Sequence, residues 1–113
     1  MNMEQFSAIA QALGNVHRAR IVEFLSCGPL CACELQPFFG FTQPTLSNHM
    51  RVLRQAGVVL AEQVGKMQIY SLNLPVLDAY TAFAKGLFHG DATCVCHSVR
   101  ERLATRTNEM VRQ

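Results

Sequence analysis

Two cysteine pairs share one spacing in this chain: Cys31-Ala32-Cys33 and, near the other end, Cys94-Val95-Cys96, the second followed at once by His97. The total of five cysteines is odd, and no basic, then apolar, leader precedes them. That combination favours free thiols or metal ligation over a disulfide framework. Each pair falls in the first turn of an expected helix, where the N-terminal dipole stabilises a thiolate. On a regular helix the two side chains point about 200° apart. Sharing one ion would therefore require the first turn to unwind locally, which costs least at a helix end. Cys94 and His97, three apart, lie on one helical face. Thiolates without a carboxylate cluster suit soft or borderline species: As(III), Sb(III), Cd(II), Pb(II), Zn(II) or Cu(I). Cys27, at the end of an apolar helix, reads as a small buried hydrophobe.

A second set of residues has chemistry of a different kind. Between Thr42 and Gly57, Leu46, Met50 and Leu53 recur at helical spacing and form one apolar stripe. The opposite face carries Thr45, Ser47, Asn48, Arg51 and Arg54 with almost no acid. Hydroxyl, amide and guanidinium groups on one side of an otherwise buried helix are what major-groove readout requires. An ordinary amphipathic surface helix has the same periodicity. Candidate DNA contacts are Gln43, Thr45, Ser47, Asn48 and Arg51, with Lys66 from a following hairpin.

The elements that must hold these groups can be read in order. Phe6, Ile9, Ala10 and Leu13 mark a first helix closed by Gly14, and Asn15 caps a second with Ile21, Phe24 and Leu25 inward. A third, short helix is expected from about Leu30 to Phe39, with Leu35, Phe38 and Phe39 inward. Thr42 caps the recognition helix, over about 42–57, and Pro44 is tolerated in its first turn. Two helices across a short Gly-containing turn make a helix-turn-helix. The period then changes: Val58–Gln63 and Met67–Leu72 are β-type runs around Gly65, so residues 58–72 form a hairpin wing. Helices over about 74–110 follow, broken at His89-Gly90-Asp91, and their apolar edge has little to pack on within one small chain. That edge and the first helix are the expected dimer interface. The fold class is mainly α with a small β-hairpin, a dimeric winged helix-turn-helix, with all 113 residues in one domain.

With those residues in place the chain resembles the ArsR/SmtB family of bacterial metal- and metalloid-sensing repressors, from about Phe6 to Phe88. The resemblance rests on the run Leu13 to Ile21, on Gln43-Pro44-Thr45-Leu46-Ser47-Asn48-His49-Met50, and on Gly57-Val58-Val59 with Gly65 to Leu72, all in the family's order. Asn15 and Val16 stand where Asp-Pro is more usual. The resemblance implies a homodimer that binds a two-fold double-stranded operator and releases it when inducer binds. It also implies that Cys31 and Cys33 are inducer ligands, since arsenic-type members carry a C-x-C followed by an acid and Leu on this helix. Their further cysteine three residues on is Gln36 here, which leaves the third ligand unassigned. Cys94 and Cys96 either complete that site or form a second one. The family's zinc sites use Asp and His at helical spacing, which Asp78 and His89 do not reproduce. As(III) is thus the first choice of inducer, ahead of Sb(III), Cd(II) and Pb(II), and no cofactor is obligatory. His17 and His49 are read as structural or DNA-proximal.

Other functions remain to be weighed. A thiol sensor of oxidants or sulfur species would use the same scaffold, and a winged-helix interaction module would never touch DNA. The net charge of +2 is weak support for nucleic acid, so the distribution of charge has to carry that point. No phosphate-binding Gly loop, paired carboxylates or nucleophile–base arrangement supports an enzyme. No apolar run approaches a membrane span, and the expected location is the bacterial cytoplasm.

Overall fold

Helix α1 (Met3–Leu13) starts where Asn2 accepts a hydrogen bond from the Gln5 backbone while the Gln5 side chain returns one to Asn2, a reciprocal capping box. The computed structural model describes residues 1–89. Asn15 caps α2 (Val16–Leu25), its side-chain oxygen accepting from the His17 and Arg18 backbones at 2.9 and 3.2 Å. Ile9 of α1 and Ile21 and Leu25 of α2 are buried together, as the spacing predicts, and Ala12, outside the expected stripe, is buried with them.

The expected third helix is replaced by three pieces. Leu30–Cys31 form a short strand, β1; α3 covers only Ala32–Leu35; a 3₁₀ turn follows at Gln36–Phe38. β1 pairs antiparallel with β3 (Met67–Leu72), Leu30 opposite Tyr70 and Cys31 opposite Ile69. β3 also pairs with β2 (Val59–Val64), giving a three-stranded sheet in the order β1-β3-β2. The wing is thus anchored on the strand that carries the first thiol. Leu35 is fully buried, but Phe38 is 65% exposed rather than inward, because the 3₁₀ turn rotates it out of the helical stripe. The hairpin turns at Gly65-Lys66, where Gly65 has φ +60° and Lys66 does not, the pattern of a type II′ turn.

Helix α4 (Gln43–Gln55) sets Leu46, Met50 and Leu53 into the core. Thr42 stands at its N-cap in extended conformation, yet its hydroxyl lies 3.2 Å from that of Thr45 and makes no bond to the backbone of the first turn. Gly57, with φ +82°, lets the chain leave α4 in a left-handed turn, and the Val58 amide bonds the Leu53 carbonyl. The chain divides at Phe83/Ala84, and Met1–Phe83 holds the sheet and core as one unit. Helix α5 (Leu74–His89) begins in that unit, where Tyr80 and Phe83 pack on Phe6 at ring distances of 5.0 and 5.1 Å. None of its described residues is fully buried. The expected last helix, with Cys94, Cys96 and His97, lies outside the described residues.

Candidate functional site

The outward face of α4 forms as the spacing predicts. Gln43, Thr45, Ser47, Asn48, Arg51 and Arg54 are all exposed, while Leu46, His49, Met50 and Leu53 are buried behind them. Arg51 is held ready by its own helix: one guanidinium nitrogen donates to Asn48 Oδ1 at 2.6 Å, the other to Gln55 Oε1 at 3.3 Å. This three-residue ladder orders the planar fork on one face before any ligand arrives. Arg51 and Arg54 flank a shallow second cleft beside Val59 and Leu60.

Behind that face, His49 locks α4 to the first two helices. Arg18 donates through Nε to the Ala12 carbonyl at 2.6 Å and through Nη2 to the Gln11 carbonyl at 3.3 Å, both in the last turn of α1. Its Nη1 lies 3.4 Å from His49 Nδ1. A guanidinium has no lone pair to offer, so Nδ1 accepts and the imidazole carries its proton on Nε2. Burial, then the Arg18 charge, then His17 hold the His49 pKa below its ordinary value of 6.5, so the ring is neutral near neutral pH. Phe41 packs edge-on against both His17 and His49 at 5.2 and 5.3 Å. The structural role read for His49 fits this geometry.

The thiols do not sit as a regular helix would place them. Cys31 is the N-cap residue of α3 in extended conformation, and Cys33 lies one turn-step inside the helix. No unwinding is needed to bring them together: with Cα atoms 5.3 Å apart they are joined in a disulfide. The expectation of free thiols is thereby corrected for this pair; leaving the helix at Cys31 swings its side chain back toward Cys33. The Cys31 backbone N–H donates to Glu34 Oε1 at 3.0 Å, so the acid that follows the pair fixes the helix start. Cys31 is 3% exposed and Cys33 is open to solvent. Cys27 is exposed, not buried as its position after an apolar helix implied, because Gly28-Pro29 turns the chain away from the core there.

Cys31 and Cys33 open onto a cleft of about 320 Å³ whose other walls are Gln43 and Ser47 of α4 and Lys66 and Gln68 of the wing. Five of the expected DNA-contact residues were assigned from α4 alone, yet this cleft brings the cysteine pair beside two of them, Gln43 and Ser47, and beside Lys66 of the wing. Sequence spacing did not show that meeting, since it depends on β1 pairing with β3. Gln36, at the place of the missing thiol, is turned elsewhere: its Nε2 donates to the Phe41 carbonyl at 2.6 Å and its buried Oε1 has no hydrogen-bond partner among the described residues. Among the described residues no three His, Cys, Asp or Glu side chains gather at one point.

Comparison with known proteins bears on what this arrangement is. Residues 15–60 match the model of the bacterial regulatory protein arsR family. The arsenical resistance operon repressor of Staphylococcus aureus is 36% identical over 100 residues, covering 88% of this chain and 96% of the relative. The chain belongs to the ArsR family. ArsR-family fold likeness extends to solved structures: an ArsR-like transcriptional regulator from Rhodococcus sp. RHA1 superposes with a TM-score of 0.69 at 17% identity, over 93% of this chain and 92% of that one. A homodimeric winged helix-turn-helix DNA-binding domain from Mycobacterium bovis gives 0.63 at 21% identity, over 81% and 89%. The chain is accordingly a winged helix-turn-helix transcriptional regulator of the ArsR family and not an enzyme. Among the described residues no helix is long and apolar enough to cross a membrane.

Proposed function

We propose that this chain is an arsenic-responsive repressor: a homodimer over residues 1–113 that grips a two-fold operator and lets go when As(III) binds Cys31 and Cys33. Gln43, Thr45, Ser47, Asn48 and Arg51 contact bases and flanking phosphates from α4, and Lys66 contacts phosphate or minor groove from the wing. The helices over 74–110, with α1, make the dimer, and Cys94 and Cys96 bind a second equivalent of metalloid. The observation that carries the reading is the shared cleft, in which the thiol pair faces Gln43, Ser47 and Lys66. An ion seated there changes the spacing between α4 and the wing, and both must fit one DNA surface. Names of relatives support the inducer: the staphylococcal protein is called an arsenical resistance operon repressor. The reduced protein is expected to leave a fluorescent DNA fragment from upstream of its own gene on addition of arsenite. Cys31→Ser and Cys33→Ser should each bind that fragment as before and fail to leave it, since a hydroxyl keeps the shape without the soft donor. Normal release by the double Cys31→Ser/Cys33→Ser protein overturns the assignment and moves the sensor to Cys94 and Cys96.

A second reading has its own observation, the Cys31–Cys33 disulfide. In it the two thiols lose two protons and two electrons to an oxidant such as a peroxide, which is reduced to water and an alcohol. Anaerobic arsenite titration separates the two, because an ion sensor responds stoichiometrically with no oxidant present.

A further inference from the structure

Two thiolates leave a soft ion one donor short, and another sulfur stands across the same cleft. Cys31, Cys33, Met50 and Met67 all line it. Met50 is fully buried and belongs to the core beneath α4. Met67 is 50% exposed at the wing end of the cleft, an apolar side chain that the fold leaves half in water. The sheet register places it more closely. Cys31 lies opposite Ile69, and side chains alternate along a strand, so Met67 is on the same sheet face as Ile69 and Cys31. One step further along the ladder the chain turns into α3, which carries Cys33.

We propose that the Met67 thioether joins the Cys31 and Cys33 thiolates in a three-sulfur site for a closed-shell monovalent soft cation, Cu(I). The proposal rests on the inducer-ligand reading of the cysteine pair and adds a ligand and an ion class to it. Thioether and thiolate are soft donors that suit Cu(I). As(III) bonds anionic thiolates and keeps a hydroxide in place of a third, so it does not use Met67. Charge supports the distinction. Cu(I) with two thiolates carries one negative charge, and the Lys66 ammonium on the cleft wall balances it. Lys66 is also the residue before Met67 in the hairpin turn. Ligation therefore ties the wing to α3 and turns the phosphate-seeking cation inward, which releases DNA. Loading begins from the dithiol: a thiol reductant such as glutathione gives two electrons to the disulfide and becomes its own disulfide. Cu(I) then displaces the two thiol protons without changing oxidation state.

The test uses the full-length, reduced protein under anaerobic conditions, in a Cys94→Ser/Cys96→Ser background so that one site is read. Cu(I) is delivered and competed with the chromophoric chelator bicinchoninate. Met67→Leu, nearly isosteric, should lower Cu(I) affinity tenfold or more, and copper-edge X-ray absorption should count two sulfurs in place of three. Operator affinity of the metal-free variant and its release by arsenite should match the parent, whereas Cys31→Ser should lose both responses. Unchanged Cu(I) affinity and three sulfurs in Met67→Leu overturn the proposal, as does the same loss appearing in Met50→Leu instead. If the parent ignores arsenite while Met67→Leu still weakens Cu(I), the arsenic reading fails and the copper site stands.

Discussion

His49 ties α4 to Arg18 of α2 and to Phe41, and its chemistry is testable. Its folded pKa lies below 6.5 because burial, Arg18 and His17 all oppose the charged ring. The unfolded chain therefore binds a proton near pH 6.5 that the folded one refuses. Stability is full above about pH 6.5 and declines as pH falls from there toward the depressed value. Urea unfolding midpoints between pH 8 and 5.5 should drop for the parent and drop less for His49→Gln, which cannot titrate. Equal pH slopes for the two proteins would remove His49 from the account. At the cysteines the C-x-C spacing is what pointed to soft-ion chemistry, a reading kept as a proposal. Their oxidation state and the exposure of Cys27 were not legible in the sequence, because both depend on where the backbone turns.

Among the elements, α4 was legible and the segment before it was not. Leu46, Met50 and Leu53 bury in one stripe at the expected spacing, and strand and helix bounds agree to within two residues there. The expected helix from Leu30 fails for a reason outside its own sequence: Leu30 and Cys31 bond to Tyr70 and Ile69, some forty positions away. Local periodicity carries no information about such a partner. The wing and α4 should separate in their effects on DNA. Ser47→Ala with Asn48→Ala removes two proposed base contacts, each good one worth about 1–3 kcal/mol, and should relax sequence preference. Lys66→Ala should weaken all sequences alike and flatten the salt dependence by the loss of one phosphate contact. Unchanged operator affinity in the Ser47/Asn48 double variant would mean that this face does not read DNA. The turn itself is open to a stability test. Gly65 has space around it but a left-handed backbone, so Gly65→Ala should cost about 1–2 kcal/mol through conformation alone. A denaturation midpoint equal to the parent's would show that the hairpin turn relaxes freely.

On the scale of the whole molecule, the shared cleft places the proposed inducer ligands Cys31 and Cys33 beside the proposed DNA contacts Gln43, Ser47 and Lys66. The packing of Phe6 on Tyr80 and Phe83 joins α1 to the start of α5, none of whose residues is fully buried. In the proposed dimer each protomer brings one cleft, one α4 and one wing to the same duplex. Linkage then fixes a relation that does not depend on the structural route. If filling both clefts with As(III) lowers operator affinity by some factor, operator must lower the product of the two As(III) binding constants by that factor. Moving the dimer from almost wholly bound to almost wholly free requires about 10⁴-fold, or about 10²-fold per cleft if the two act alike. Arsenite affinity of the reduced Cys94→Ser/Cys96→Ser protein, measured with and without saturating operator, should therefore weaken by about two orders of magnitude per site. The DNA affinity measured with and without saturating arsenite should close the same cycle. Arsenite affinity that operator leaves untouched would show that Cys31 and Cys33 are uncoupled from the DNA face despite the cleft they share with it.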